Sequence, residues 1–181
     1  MTEHCLISSA SINQNSTNSL IAYLIDLHVA GATGVTIAIS SPGGNVVNGI
    51  TIYNALLAVN YEVTTYNIGN VDSIANIVFL GGKNRISNGN ATFMFHSVSF
   101  DGNANERLEE KNLLEKLDII KSEHNRISSI IAARSGLSPR VCINLFKKQA
   151  TRDAQWAVKN GIANSIGEFK IPAHGNVKYL L

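Results

Sequence analysis

Three short stretches of this chain contain residues whose types and spacing could catalyse acyl transfer. A Ser-Pro-Gly-Gly turn ends at Gly44, Ser73 follows the sequence Gly-Asn-Val-Asp, and His96 ends the run Phe-Met-Phe-His. A serine becomes a strong nucleophile only when a base takes its proton and the resulting oxyanion is stabilised. Histidine is a suitable base, and the bare backbone of glycine brings N–H groups close to an oxyanion. Together the three stretches predict a serine-dependent acyl-transfer site.

Each of these residues also has an ordinary structural interpretation. Ser73 is predicted to begin a helix, and most serines at that position cap the helix. An isolated histidine such as His124 is usually a packed surface or core residue. From the residues alone, capping is the commoner role for Ser73, so both interpretations stay open at this point.

The elements that would position these residues alternate between strand and helix. Apolar, β-branched runs predict strands at residues 5–7, 35–39, 62–68 and 91–97, with a last strand after Gly161-Ile162-Ala163. Two early helices are predicted, one capped by Ser16 or Thr17 and one over residues 46–59. Their expected apolar faces are Leu20, Ile21, Leu24, Ile25, His28 and Val29 in the first and Ile50, Tyr53, Leu56 and Leu57 in the second.

This alternation predicts an α/β fold with mainly parallel strands. Ser73 would lie at a sharp turn between a strand and a short apolar helix over residues 73–80. The amides in the first turn of that helix would point at the substrate oxygen. Gly44 and His96 follow neighbouring strands, which would bring them to the same point.

Residues 103–135 form a different kind of segment. Its apolar stripe has the spacing of a coiled coil and consists of Leu113, Leu117, Ile120, His124, Ile127 and Ile131. We expect a long helix that projects and packs against another subunit, although it could instead lie across its own sheet. Ser138 and Pro139 then start a new helix, and a further helix follows over residues 154–160.

Composition limits the classes of protein that fit. The 181 residues are 45% apolar and 15% charged with a net charge of +2, which suits one globular domain spanning residues 1–181. No basic cluster indicates nucleic-acid binding, and no apolar run is long enough to cross a membrane. Cys5 and Cys142 are far apart and suit reduced thiols, so we expect a cytoplasmic protein.

The motifs resemble those of one family over nearly the whole chain. The stretch from Ile39 to Gly44, followed by Gly49-Ile50 and Ile52-Tyr53, resembles the "NSPGG…G…IYD" region of the Clp protease proteolytic subunit family. The stretch ending in Ser73-Ile74 corresponds to the family's "GxAASM" and that ending in His96 to its "MIH". Residues 157–162 correspond to its "EAxxYGLID" tail.

The resemblance implies a serine peptidase with the ClpP/crotonase fold, a spiral of βαβ units with a long projecting handle helix. It implies that Ser73 is the nucleophile, that His96 is the base and that the amides of Gly44 and Ile74 form the oxyanion hole. Such a site needs no metal or cofactor. The expected substrates are short or unfolded polypeptides, which strand edges near the site would hold by β-addition.

The sequence departs from the family at the third member of the triad. The position of the family's aspartate falls on Gln149, which can orient His96 but cannot stabilise its positive charge. Asp153 could substitute for it, although Asp153 also suits the cap of the helix that follows. Asp72, beside Ser73, replaces the family's usual alanine and is expected either to be solvated or to act on His96 as a local charge.

Further departures concern partners. Lys147-Lys148 falls where the family often has an acidic–arginine pair between rings, and the chain starts just before its first strand, where the family has a segment facing an ATP-driven unfoldase. A double ring and an unfoldase partner are therefore open questions. We still expect a homo-oligomer, with a ring of seven subunits as one arrangement, through the long helix.

Two alternatives to a peptidase follow from these departures. Gln149 favours a structural subunit that keeps the fold and has lost efficient catalysis, whereas the retained Ser73 and His96 argue against it. A crotonase-type enzyme acting on acyl-CoA thioesters is the second alternative. The chain is short for that branch, and a serine–histidine pair suits peptidase chemistry better.

Overall fold

The computed structural model describes residues 3–99, 109–173 and 175–180. The strands are β1 (His4–Ser8), β2 (Gly34–Ser41), β3 (Glu62–Asp72), β4 (Asn84–Ser87), β5 (Thr92–Phe95), β6 (Ala150–Asp153), β7 (Ser165–Ile166) and β8 (Asn176–Leu180). The helices are α1 (Gln14–Val29), α2 (Val46–Ala58), α3 (Ala75–Leu80), α4 (Glu110–Arg134), α5 (Pro139–Lys147) and α6 (Ala154–Lys159).

One sheet contains all of these strands, in the order β6-β5-β3-β2-β1-β8, with β4 paired to both β3 and β7. Every pairing is parallel except that of β5 with β6. The predicted α/β fold with mainly parallel strands is therefore confirmed. The carboxyl ends of β2, β3 and β5 lie side by side, which is where Gly44, Ser73 and His96 follow them.

The helices pack on the sheet through apolar faces that differ in part from those predicted. In α1, Leu20 and Leu24 are buried as expected, but Ile25 and Val29 are exposed, and Tyr23 and Leu27 are buried instead. The buried face is thus rotated about the helix axis relative to the prediction, because β-branched residues also occupy the side of α1 that faces solvent.

In α2 the prediction holds for Ile50, Tyr53 and Leu56, whereas Leu57 is 48% exposed and Ile52 is buried. The start of α1 also differs from the prediction. Its N-cap is Asn13, whose side chain accepts a hydrogen bond from the N–H of Ser16, so Ser16 lies inside the first turn.

Several strands are longer than predicted or were missed. β3 continues to Asp72, four residues beyond the predicted end, because its last residues pair with β5 rather than entering a loop. β4, β6 and β8 are short and partly polar, so they lack the apolar run that signals a strand. Tertiary pairing at the edges of the sheet stabilises them.

The predicted long helix is confirmed as α4, while the part of the prediction over residues 103–108 lies outside the described residues. Ile127 and Ile131 are buried against the body of the protein, whereas Leu113 and Leu117 are 51% and 43% exposed. The first half of α4 therefore extends away from the core. In the described part of the chain, no helix is both long and apolar enough to cross a membrane.

Candidate active site

Ser73 lies on a sharp turn between β3 and α3. Its backbone φ is +55°, a conformation that costs a non-glycine residue energy and persists only where the surroundings hold it. The N–H of Ser73 donates to the carbonyl of Met94 at 2.8 Å. The Asn76 side chain donates to the carbonyls of Ser73 and Met94 at 3.0 and 2.9 Å. These bonds fix the serine at the turn.

The glycine turn after β2 packs directly against the Ser73 turn. A Cβ atom at Gly43, whose φ is +88°, would lie 2.6 Å from Ser73 Cβ, and one at Gly44 would lie 2.2 Å from the carbonyl oxygen of Ile12. Only glycine permits this approach. Within the described residues, the N–H groups of Gly44 and Ile74 have no intramolecular hydrogen-bond acceptor, and both residues line the pocket beside Ser73.

His96 follows the end of β5 and lines the same pocket as Ser73. Its Nδ1 lies 2.8 Å from the carbonyl oxygen of Ser97. A carbonyl only accepts, so Nδ1 carries the proton of the neutral ring and Nε2 keeps a lone pair. No hydrogen bond between Ser73 Oγ and His96 occurs among the described residues, and such bonds are often long before substrate binds.

Gln149 is the residue beyond the β5–β6 ladder on the side of His96. The last pair of the ladder is Phe95 with Ala150, so His96 and Gln149 are the residues that come next on the two strands. Gln149 has a φ of +48° and an exposed side chain, and in the described part of the chain only its backbone N–H is hydrogen-bonded, to Phe146.

Asp153 lies at the other end of the same ladder. It is opposite Thr92, which is four residues before His96. Its Oδ1 accepts a hydrogen bond from the N–H of Trp156 at 2.8 Å, which makes it the N-cap of α6. This geometry supports the capping alternative over a role beside His96.

Asp72 belongs to β3, where it pairs with Met94, rather than to a solvated loop. Its carboxylate accepts a hydrogen bond of 2.6 Å from Asn70, whose side chain oxygen accepts in turn from Ser40 Oγ at 2.9 Å. Asp72 is therefore tied into a short polar chain along the sheet.

The pocket that contains Ser73 and His96 has a volume of about 80 Å³. Most of its wall is apolar and comes from Val46, Ile74, Phe95, Val98, Ile127 and Phe146. Its size and lining suit one apolar side chain next to the serine. A larger cavity of about 560 Å³ lies at the opposite edge of the sheet, where the strands begin, and contains neither Ser73 nor His96.

His124 of α4 also lines the pocket that contains Ser73 and His96, a role that the sequence did not indicate. Its place in the apolar stripe of α4, among leucines and isoleucines, is the one signal that could have singled it out. Among the described residues, no group of three or more His, Cys, Asp or Glu side chains is placed to hold a metal ion.

Comparison with known proteins gives a consistent result. A family model described as Clp protease matches residues 1–170. The chain is 28% identical over 172 residues to an ATP-dependent Clp protease proteolytic subunit from Chara vulgaris, covering 92% of this chain and 76% of that protein. It is 23% identical over 175 residues to the protein of that description from Triticum aestivum, covering 95% and 80%.

Among solved structures, a mutant of ClpP1 from Listeria monocytogenes superimposes with a TM-score of 0.82 at 23% identity, covering 92% of each chain. This similarity confirms the predicted fold class, including the long handle helix.

Proposed function

This chain belongs to the Clp protease family, and from that premise we propose that it is a serine peptidase acting on short or unfolded polypeptides. The observation that carries the proposal is the strained turn at Ser73, which shares one pocket with His96. Among the described residues, the backbone N–H groups of Gly44 and Ile74 beside it are also without an acceptor. Strain of this kind concentrates at functional sites, and a serine that only caps a helix has no need of it.

The proposed reaction passes through an acyl-enzyme. Nε2 of His96 takes the proton of Ser73 Oγ while the oxygen attacks the carbonyl carbon of the peptide bond. The N–H groups of Gly44 and Ile74 stabilise the oxyanion. His96 then gives its proton to the leaving amine, and water releases the acyl group with His96 again acting as base.

The group behind His96 differs from that of a complete triad. The Ser97 carbonyl holds Nδ1–H and thereby fixes the tautomer that leaves Nε2 free. A carbonyl dipole stabilises the imidazolium less than a carboxylate does, and Gln149 adds no charge. We therefore expect slow catalysis, with a loss of up to about 10⁴-fold relative to a triad containing aspartate.

The experiment that tests this proposal is covalent labelling with a fluorophosphonate, read by intact-mass spectrometry. We expect one adduct on the wild-type protein and none on Ser73→Ala or His96→Ala. A wild-type protein that remains unlabelled after long exposure contradicts the proposal. Labelling of Ser73→Ala would show that another residue reacts.

A structural subunit without efficient catalysis is the second candidate, and the exposed, uncharged side chain of Gln149 favours it. No observation comparable to that on Gln149 favours a crotonase-type activity on acyl-CoA. Failure of the labelling experiment would leave the structural role as the better proposal.

We also propose that the protein assembles into a homo-oligomeric ring through the first half of α4. The support is a set of apolar side chains exposed on that half: Leu113, Leu114, Leu117 and Ile119. Cys5 and Cys142 are free and buried, which supports the cytoplasm as the compartment. The relative from Chara vulgaris is an ATP-dependent Clp protease proteolytic subunit, which supports cooperation of this protein with an ATP-driven partner.

A further inference from the structure

His124 makes two contacts with the elements around the proposed active site. Its Nε2 accepts a hydrogen bond from the backbone N–H of Val98 at 3.0 Å. Its ring is stacked on that of Phe146, with the centroids 5.5 Å apart and the planes at 27°. The imidazole thus connects α4 and α5 to the backbone that follows His96.

The segment containing His96, Ser97 and Val98 lies beyond the last pair of the β5–β6 ladder. Within the described residues, two hydrogen bonds join this segment to other parts of the fold. One is the Val98–His124 bond at 3.0 Å, and the other runs from Ser97 Oγ to the Phe146 carbonyl at 3.4 Å. The first is the shorter and better bond, so His124 is the main polar anchor of the segment.

The direction of the His96 ring depends on this segment. Nδ1 of His96 is held by the carbonyl of Ser97, and the next peptide N–H, that of Val98, is held by His124. A shift of the Val98 peptide would rotate the Ser97 carbonyl and with it the imidazole of His96. A displacement of about 1 Å in a catalytic group can cost about 10²-fold in rate.

We propose that His124 is a positioning residue that anchors the segment after β5 and so holds His96 toward Ser73. The inference rests on the proposed peptidase function for its consequence in catalysis, but the anchoring itself is a property of the fold. His124 acts through Val98 and Ser97 and takes no part in proton transfer.

The role requires a neutral ring, because an imidazolium has no lone pair to accept from Val98. Burial and then the nearby charge of Lys147 at the end of α5 lower the pKa of His124, which favours the neutral form. Among the described residues, His96 lies across the pocket from His124, and Lys121 and Glu123 are near it on its own helix.

Two substitutions separate the hydrogen bond of His124 from its stacking. His124→Phe keeps a ring against Phe146 but has no acceptor, whereas His124→Gln keeps an acceptor at a similar distance from the backbone but has no ring. His28→Phe, at an exposed position on α1, is the matched control. Melting temperatures of all variants show whether they fold.

The first measurement is amide hydrogen exchange of the peptide covering residues 95–99, read by mass spectrometry. We expect exchange at Val98 to be about fivefold faster in His124→Phe, as the loss of one hydrogen bond implies, and near the wild-type rate in His124→Gln and His28→Phe. Unchanged exchange in His124→Phe overturns the proposal.

The second measurement is the rate at which Ser73 takes a fluorophosphonate. We expect a fall of at least about tenfold in His124→Phe and a rate within about threefold of the wild type in His124→Gln. A slow Gln variant beside a fast Phe variant would assign the effect to stacking and overturn the proposal. If the wild type takes no label, the proposed function fails, and the exchange result alone decides for or against His124.

Discussion

At the scale of single residues, the proposed mechanism makes the reactivity of Ser73 depend on how well the positive charge that forms on His96 is stabilised. The Ser97 carbonyl orients the ring, but the nearest residue across the ladder, Gln149, carries no charge. The backbone of Gln149 has a φ of +48°, a conformation that aspartate and asparagine adopt more readily than glutamine. The position therefore accommodates a carboxylate on a short side chain.

We predict that Gln149→Asp increases the rate of fluorophosphonate labelling by at least about tenfold, with about 10⁴-fold as the ceiling set by a complete triad. The physical reason is that a carboxylate beside His96 stabilises the imidazolium as it forms. Hydrolysis of a fluorogenic peptide should rise in parallel. A rate equal to that of the wild type would show that position 149 does not act on His96.

Asp153→Ala is the matched control for that experiment. Since the carboxylate of Asp153 caps α6, its loss should lower the free energy of unfolding by about 1 kcal/mol and leave the labelling rate unchanged. A labelling rate that falls with Asp153→Ala would instead support Asp153 as the missing triad member.

At the scale of elements, α3 is held at both ends. Its first turn follows the strained Ser73, and arginines of other elements donate hydrogen bonds to carbonyls at its end and just beyond it. Arg134 of α4 donates to the carbonyls of Leu80 at 3.0 Å and Gly82 at 2.9 Å. Cations are favourable at the carbonyl end of a helix, so this contact fixes α3 relative to α4.

Arg85 of β4 binds the same region and is only 8% exposed. Its guanidinium donates to the carbonyls of Ile162, Gly82, Arg134 and Gly161 at distances between 2.8 and 3.2 Å. The pKa of Arg85 is lowered by burial and by the charge of Arg134. Hydrogen bonds to backbone oxygens thus stabilise this buried cation.

We predict that Arg85→Met lowers the free energy of unfolding by about 3 kcal/mol or more, because several buried carbonyls lose their donor. Urea denaturation measures this loss. Arg140→Met, at an exposed position on α5, should change stability by less than about 0.5 kcal/mol. A loss at Arg85 as small as that of the control would show that the carbonyls find other donors.

At the scale of the whole molecule, the exposed half of α4 predicts the state of assembly. Leu113 and Leu117 are 51% and 43% exposed, although they belong to the same apolar stripe as Ile127 and Ile131, which are buried. We predict a mass of several times 19.5 kDa by light scattering and a smaller mass for the double variant Leu113→Glu, Leu117→Glu. A buried carboxylate without a partner opposes association.

Lys111→Glu, on the same exposed half of α4, is the control for the added charge and should leave the mass unchanged. A wild-type protein that is monomeric at working concentration contradicts the assembly proposal. A loss of mass in the control would show that net charge, rather than the apolar stripe, governs association.

Stability of the whole molecule should also fall at alkaline pH. Burial raises the pKa of the Cys142 thiol to about 11 from its ordinary 9. Between these values the folded state binds more protons than the unfolded state, so the free energy of unfolding decreases as pH rises. The slope from this group is at most about 1.4 kcal/mol per pH unit.

The measurement is urea denaturation of the wild type and Cys142→Ala across this pH range. The wild type should lose its advantage over the variant between about pH 9 and 11 and keep it at lower pH. A difference that stays constant with pH would show that the Cys142 thiol does not titrate on unfolding.

The amino-acid sequence by itself determined the class of fold and the candidates for catalysis. A run of β-branched residues predicted β2, and apolar residues at helical spacing predicted α2. Their alternation predicted the α/β architecture, since the period of the apolar residues follows from which face of each element is buried. The glycine turn, Ser73 and His96 were identified from residue types at strand ends. The long α4 followed from its apolar stripe.

Only the tertiary structure decided which side chains meet. The ladder of β5 with β6 brings the backbones of Gln149 and His96 to one of its ends and Asp153 to the other. β6 has no apolar run from which this strand could be predicted. His124 reaches Val98 because the second half of α4 packs beside α5 and α3, next to the end of β5. Such contacts join residues distant in the chain, and local propensity, which depends on near neighbours, contains no information about them.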